Sequence, residues 1–150
     1  MPLKLIAPLY ETYTLDRSDA LYDNKDDPTT VTIKQAAQGE HEQRQSLFSR
    51  LEQKWNQLSP DEVSLVQTIS MEEVKKLEVY LTLCDCNIVG FDDKPLFPSK
   101  SDKDGNPTLA MSKSQFATAW AKLLPETARE IHEKVLLLNP LWRREGGEEL

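Results

Sequence analysis

Apolar and polar positions alternate with a period of two between residues 30 and 34. Val31 and Ile33 fall on one side, and Thr30, Thr32 and Lys34 on the other. That spacing predicts a half-buried strand, because successive side chains of extended backbone point to opposite faces. Residues 9–15, Leu-Tyr-Glu-Thr-Tyr-Thr-Leu, are rich in β-branched and aromatic types and predict a second strand. The stretch between them, residues 16–29, carries five aspartates and ends in Asp-Asp-Pro. It is expected to be an exposed loop that lets the two strands pair antiparallel.

After Ala36 the period changes. A polar, helix-favouring run, Gln-Gly-Glu-His-Glu-Gln-Arg-Gln, leads into Leu47, Phe48, Leu51 and Trp55 at three- and four-residue spacing. An amphipathic helix ending before Trp55 is expected. Ser59-Pro60-Asp61-Glu62 fits a helix start with Pro at its first position, or a turn before the β-branched run 63–69; the strand reading is favoured. Ser70-Met71-Glu72-Glu73 has capping-box spacing, and Val74, Leu77, Leu81, Cys84 and Ile88 continue as a helical stripe. Residues 90–108 hold Gly90, Pro95, Pro98, Gly105 and Pro107 and read as a long exposed loop.

The end of the chain is helical in pattern. Ser112 and Gln115 form another capping box before Phe116, Ala119, Trp120 and Leu123. Pro125 and Glu126 suit the first turn of a second helix, whose stripe is Ala128, Ile131, Val135 and Leu138 until Asn139-Pro140 stops it. The expected fold is therefore α+β: a small antiparallel sheet packed by helices, with a C-terminal helical hairpin. One domain spans 1–142, made of a mixed front part (1–90), a loop (91–110) and the hairpin (111–139). A mobile acidic tail over 143–150 completes it.

Composition narrows the function. A chain of 150 residues with 39% hydrophobic content suits one domain. Eighteen Lys and Arg are dispersed among 25 Asp and Glu for a net charge of -7, which argues against backbone-driven nucleic-acid binding. The longest apolar stretch, Val135 to Leu138, is far short of the roughly 20 residues a membrane span needs. The first ten residues lack an apolar h-region, so export is not expected, and the two cysteines suit a reducing, cytoplasmic compartment.

Candidate chemistry is sparse. His41 and His132 are the only histidines; both fall beside charged neighbours and are expected to be surface or boundary residues. Cys84-Asp85-Cys86 lacks the second knuckle of a zinc site, and Cys84 is expected to be a small buried hydrophobe. Asp102-Lys103-Asp104-Gly105-Asn106 imitates the opening of a calcium loop, but its glycine comes one residue early and Lys113 stands where the closing glutamate belongs. Glu40, Glu42, Glu72, Glu73, Glu130 and Glu133 are expected on polar helix faces. No catalytic set, metal site or cofactor is expected.

Asp27-Pro28-Thr29-Thr30-Val31-Thr32-Ile33-Lys34-Gln35-Ala36, continuing through Gly39-Glu40-His41-Glu42-Gln43-Arg44, resembles small tail-assembly proteins of tailed bacteriophages. So do Leu77 to Leu83, Phe116 to Trp120, Leu124-Pro125-Glu126 and the ending Asn139-Pro140-Leu141-Trp142. The likeness covers most of residues 27–142, while the first 26 carry little of it. It implies a non-enzymatic chaperone that coats the apolar, helical tape-measure protein until tail-tube subunits polymerise around it. Self-association is expected as well. Two other readings are a structural virion component, such as a connector or tube-associated subunit, and an acidic inhibitor of a host protein. Leu136, Leu137, Leu141 and Trp142 lie off the C-terminal stripes and are the expected partner-binding residues, because a helix apolar on more than one side needs a second covering surface.

Overall fold

The computed structural model describes residues 2–3 and 8–145. The two strands expected at the front form β1 (Tyr10–Thr14) and β2 (Thr30–Lys34), antiparallel with Thr12 opposite Thr32. Val31 and Ile33 are buried on the inner face, as their alternation requires. The connection between the strands is not all loop: α1 (Asp16–Leu21) forms directly after β1. Asp16 and Asp19 complement its positive N-terminal end. Its first amides, those of Arg17 and Ser18, donate to the Glu130 carboxylate, a partner more than a hundred residues away that local reading could not supply.

α2 (Gln38–Trp55) matches the expected helix and runs through Trp55. α3 (Pro60–Thr82) corrects the strand expected over 63–69 and the helix start expected at Ser70. The physical reason lies at its N-terminus. Pro60 sits at the first helical position and the Ser59 side chain accepts the Glu62 amide at 3.4 Å, so the alternative cap at Ser59 prevails. β-branched content is only a weak bias once such a cap and tertiary contacts favour helix. From Leu77 to Cys84 every residue but Tyr80 is buried, so the end of α3 runs through the middle of the protein.

The stripe expected to continue to Ile88 is broken as well. After Thr82 the backbone extends into β3 (Leu83–Cys86), which pairs with β2 to complete the sheet order β1-β2-β3. Residues 90–108 are not one loop but include a second small sheet, β4 (Ser99–Ser101) with β5 (Pro107–Leu109). The calcium-like segment is the turn between them. Asp102 Oδ1 accepts the amides of Asp104 and Asn106 at 2.9 Å each, and Gly105 adopts φ +83°, a conformation open to glycine. Phe97, inside the same stretch, is completely buried against Phe116 at 5.6 Å between ring centroids.

α4 (Lys113–Trp120) begins with the reciprocal Ser112–Gln115 capping box, and α5 (Pro125–Leu138) with Pro125. α4 packs on α3, whereas α5 packs on α3 and β2. Asn139 ends α5, but Pro140 opens a further short helix, α6 (Pro140–Glu145), which takes up the front of the expected tail; residues 146–150 lie outside the described residues. One hydrophobic cluster joins most of these elements, from Leu15 and Ile33 through Val79 and Phe116 to Ile131 and Trp142, while α1 and β4 contribute no residue to it. Among the described residues, no helix is long and apolar enough to cross a membrane.

Candidate functional site

The four residues expected to bind a partner divide between inside and outside. Leu136 and Trp142 are 5% and 2% exposed and belong to the core, which corrects their placement on a free surface. Leu137 and Leu141, at 55% and 66%, are solvent-facing. Leu141 edges a small recess of about 460 Å³ with Gln38 and His41, which Leu137 does not line. Trp142 is carried into the hydrophobic cluster beside Leu136 by α6, a helix that the helix-stopping Asn139-Pro140 signal conceals.

Trp142 is held by a buried polar group that spans four helices. Arg44 of α2 and Glu78 of α3 are both fully buried, with Arg44 Nε 2.5 Å from Glu78 Oε2. His132 Nε2 of α5 lies 2.6 Å from the other oxygen, Glu78 Oε1. An Arg44 Nη2 hydrogen bond reaches the Trp142 carbonyl at 3.1 Å, and the guanidinium lies over the rings of Phe48 and Trp142. The Trp142 indole N–H donates to His41 Nδ1 at 3.2 Å. His132 is thus buried and not at the surface, and Arg44, inside a run read as polar helix face, is the only buried residue of α2. Both oxygens of Glu78 are engaged from within the chain, so the arrangement orders helices.

A second buried carboxylate acts in the same way. Glu130, expected on a polar face, is 2% exposed and accepts from the Ser18 hydroxyl at 2.7 Å as well as from two α1 amides. Burial pushes its carboxyl up, but the Ser18 and Arg17 hydrogen bonds outweigh that and hold it below the ordinary range. The thiols of Cys84 and Cys86 are buried and unbridged. Burial pushes each up to about 11, which leaves them protonated near neutrality and poor as nucleophiles or ligands. Among the described residues, no group of three or more His, Cys, Asp or Glu is placed to hold a metal ion.

A larger concavity lies at the opposite end of the sheet from Leu141. It is an open groove of about 970 Å³ between α1, residues 88–96 and the corner joining α4 to α5. Residues 88–96 form a tight reversal: Gly90 N–H donates to the Lys94 carbonyl at 2.9 Å, Leu96 N–H to the Ile88 carbonyl at 2.9 Å, and Asp93 takes φ +62°. That reversal holds Phe91 fully exposed beside half-exposed Val89. Leu123 and Leu124 form the facing wall, and Ile88, Leu96 and Met111 form the floor.

Comparison with family models, with curated proteins and with solved structures finds no match.

Polar groups rim the groove. Asp19 sits at the α1 edge, where burial raises its carboxyl but bonds from Thr29 Oγ1, the Thr29 amide and Asn24 Nδ2 more than offset this and hold it low. Lys94 and Lys122 line the other edges, and neither forms an ion pair among the described residues. Sequence reading missed this groove because α1 and residues 90–96, which face the α4–α5 corner across it, read as loop. The available signal was Val89-Gly90-Phe91, apolar residues placed at a reversal where polar ones are usual.

Proposed function

We propose that this chain is a non-enzymatic protein-binding factor of phage tail morphogenesis that holds an apolar helical segment of the tape-measure protein, or of a tail-tube subunit, during assembly in the host cytoplasm. The resemblance of residues 27–142 to tail-assembly proteins motivates the client. The groove supports the mode. A helix with its side chains is about 10–12 Å across, so about two turns fill a space of this size. Phe91 is the observation that carries the reading: a rigid reversal holds a large aromatic wholly in water, and covering such a side chain contributes roughly 2–3 kcal/mol to association. Val89 and Leu124 add apolar surface on either side, and Lys94 and Lys122 are placed to meet acidic residues along the edges of an amphipathic client.

Co-expression of this chain with a tape-measure fragment, followed by affinity capture, tests the reading. Phe91→Asp and Leu124→Asp are expected to reduce capture at least about tenfold, whereas Leu137→Asp, on the far side, leaves it unchanged. Capture that is indifferent to both groove substitutions would remove the groove from the function. Stable presence of the chain in purified particles would favour a virion component over a chaperone.

A further inference from the structure

β1 is the outer strand of the three-stranded sheet, and among the described residues no strand pairs with its far side. Leu15 donates its amide to the Thr29 carbonyl at 2.8 Å, and Gln35 donates to the Leu9 carbonyl at 2.9 Å. These two bonds fix the phase of the ladder. Leu9, Glu11, Tyr13 and Leu15 turn their backbone groups toward β2, so Tyr10, Thr12 and Thr14 turn theirs outward. Among the described residues, none of those outward amides and carbonyls has a hydrogen-bond partner.

Open edges are normally guarded by proline, lysine, a bulge or an inward-facing charge. β1 has no proline, lysine or bulge, and its single charge, Glu11, lies on the sheet face that also carries Tyr13, Val31 and Ile33. A cation waits on that face. Lys134 of α5 holds its Nζ 5.9 Å from the centroid of the Tyr13 ring. Among the described residues neither Glu11 nor Lys134 belongs to an ion pair.

We infer that β1 pairs antiparallel with β1 of a second copy of this chain, in a register centred on Thr12, to give one continuous six-stranded sheet. That register uses every outward group of Tyr10, Thr12 and Thr14, with Tyr10 of one protomer opposite Thr14 of its partner. It sets Glu11 of one protomer opposite Tyr13 of its partner, beside the lysine already resting on that ring. The edge charge thereby meets an opposite charge twice across the two-fold axis. A register centred on Glu11 would instead oppose two carboxylates. The inference is independent of the groove, which lies near the Thr29 end of the sheet.

Sedimentation equilibrium of the full chain, from micromolar to near-millimolar concentration, is the test. The wild type is expected to dimerise, with the amides of Tyr10, Thr12 and Thr14 gaining exchange protection only at high concentration. Thr12→Pro deletes an outward donor and no backbone bond to β2, losing on that side only the 2.9 Å hydroxyl contact with Thr32, and it is expected to weaken the dimer at least about tenfold. Glu11→Lys is expected to weaken it too, and adding Lys134→Glu to restore it. Should Thr12→Pro fail to fold, the charge exchange alone decides. A strict monomer, or a dimer that neither Thr12→Pro nor Glu11→Lys weakens, overturns the inference, and failure of the exchange to restore association overturns the Thr12-centred register.

Discussion

The α6 seat and the groove invert the usual distribution of polarity in opposite directions. At the seat, charge lies inside: Arg44 and Glu78 are fully buried and paired with each other, with His132 against the same carboxylate. At the groove, apolar surface lies outside, with Phe91 wholly exposed and Val89 and Leu124 half-exposed. The difference is in what completes each one. The buried charges find complementary groups on other helices of the same chain, so they organise the fold. Among the described residues the exposed apolar side chains find nothing of that kind, and the proposed client is what would cover them.

The largest expected effect comes from breaking the seat. Arg44→Met leaves Glu78 buried without its guanidinium and is expected to cost about 3–5 kcal/mol of stability in urea unfolding. Replacing both residues, Arg44→Met with Glu78→Leu, is expected to recover a good part of that loss, because the penalty comes from the orphaned charge. A double variant as unstable as the single one would mean that shape at this position matters more than charge.

Glu130→Gln should act less strongly, by roughly 1–3 kcal/mol near neutrality, since it weakens acceptance from two backbone amides and a hydroxyl. The effect depends on pH. The folded-state pKa of Glu130 lies below its ordinary value of 4.5, so the carboxylate's contribution is fully present above that value and is lost as pH falls through the folded pKa. The stability gap between wild type and variant is therefore expected to narrow as the solution is acidified below pH 4.5, and a gap that widens there would contradict the assignment. The smallest effect belongs to the groove. Phe91→Asp should change stability by no more than about 0.5 kcal/mol, because the side chain leaves water in neither the folded nor the unfolded state.

What was legible in the sequence was local. Val31 and Ile33 declared a buried face by alternation, and Ser112 with Gln115 and Pro125 declared helix starts through contacts within one turn. The seat could not be read that way. Arg44 sits in a polar run, and its partners Glu78 and Trp142 lie 34 and 98 residues away in the chain. The α3–β3 boundary was hidden for another reason. Leu81, Cys84 and Ile88 keep a helical interval even though the backbone has already extended, because burial runs almost without interruption from Leu77 to Cys84 across the boundary and leaves no change of polarity to mark it. Phe91 and Phe97 have similar punctuation around them, yet one is exposed and the other is in the core, a distinction set by the reversal at residues 88–96.

The direct passage from Thr82 in α3 to Leu83 in β3 leaves no slack between a 23-residue helix and the strand that closes the sheet. Such a joint behaves as a lever with a fixed fulcrum. Adding one residue there would turn the helix by about 100° relative to the strand, or exchange the strand's two faces, and either outcome would scramble the core. Peptide tags or reporter insertions are therefore better carried at the turn between Asp102 and Asn106, where the backbone is exposed and closes on itself.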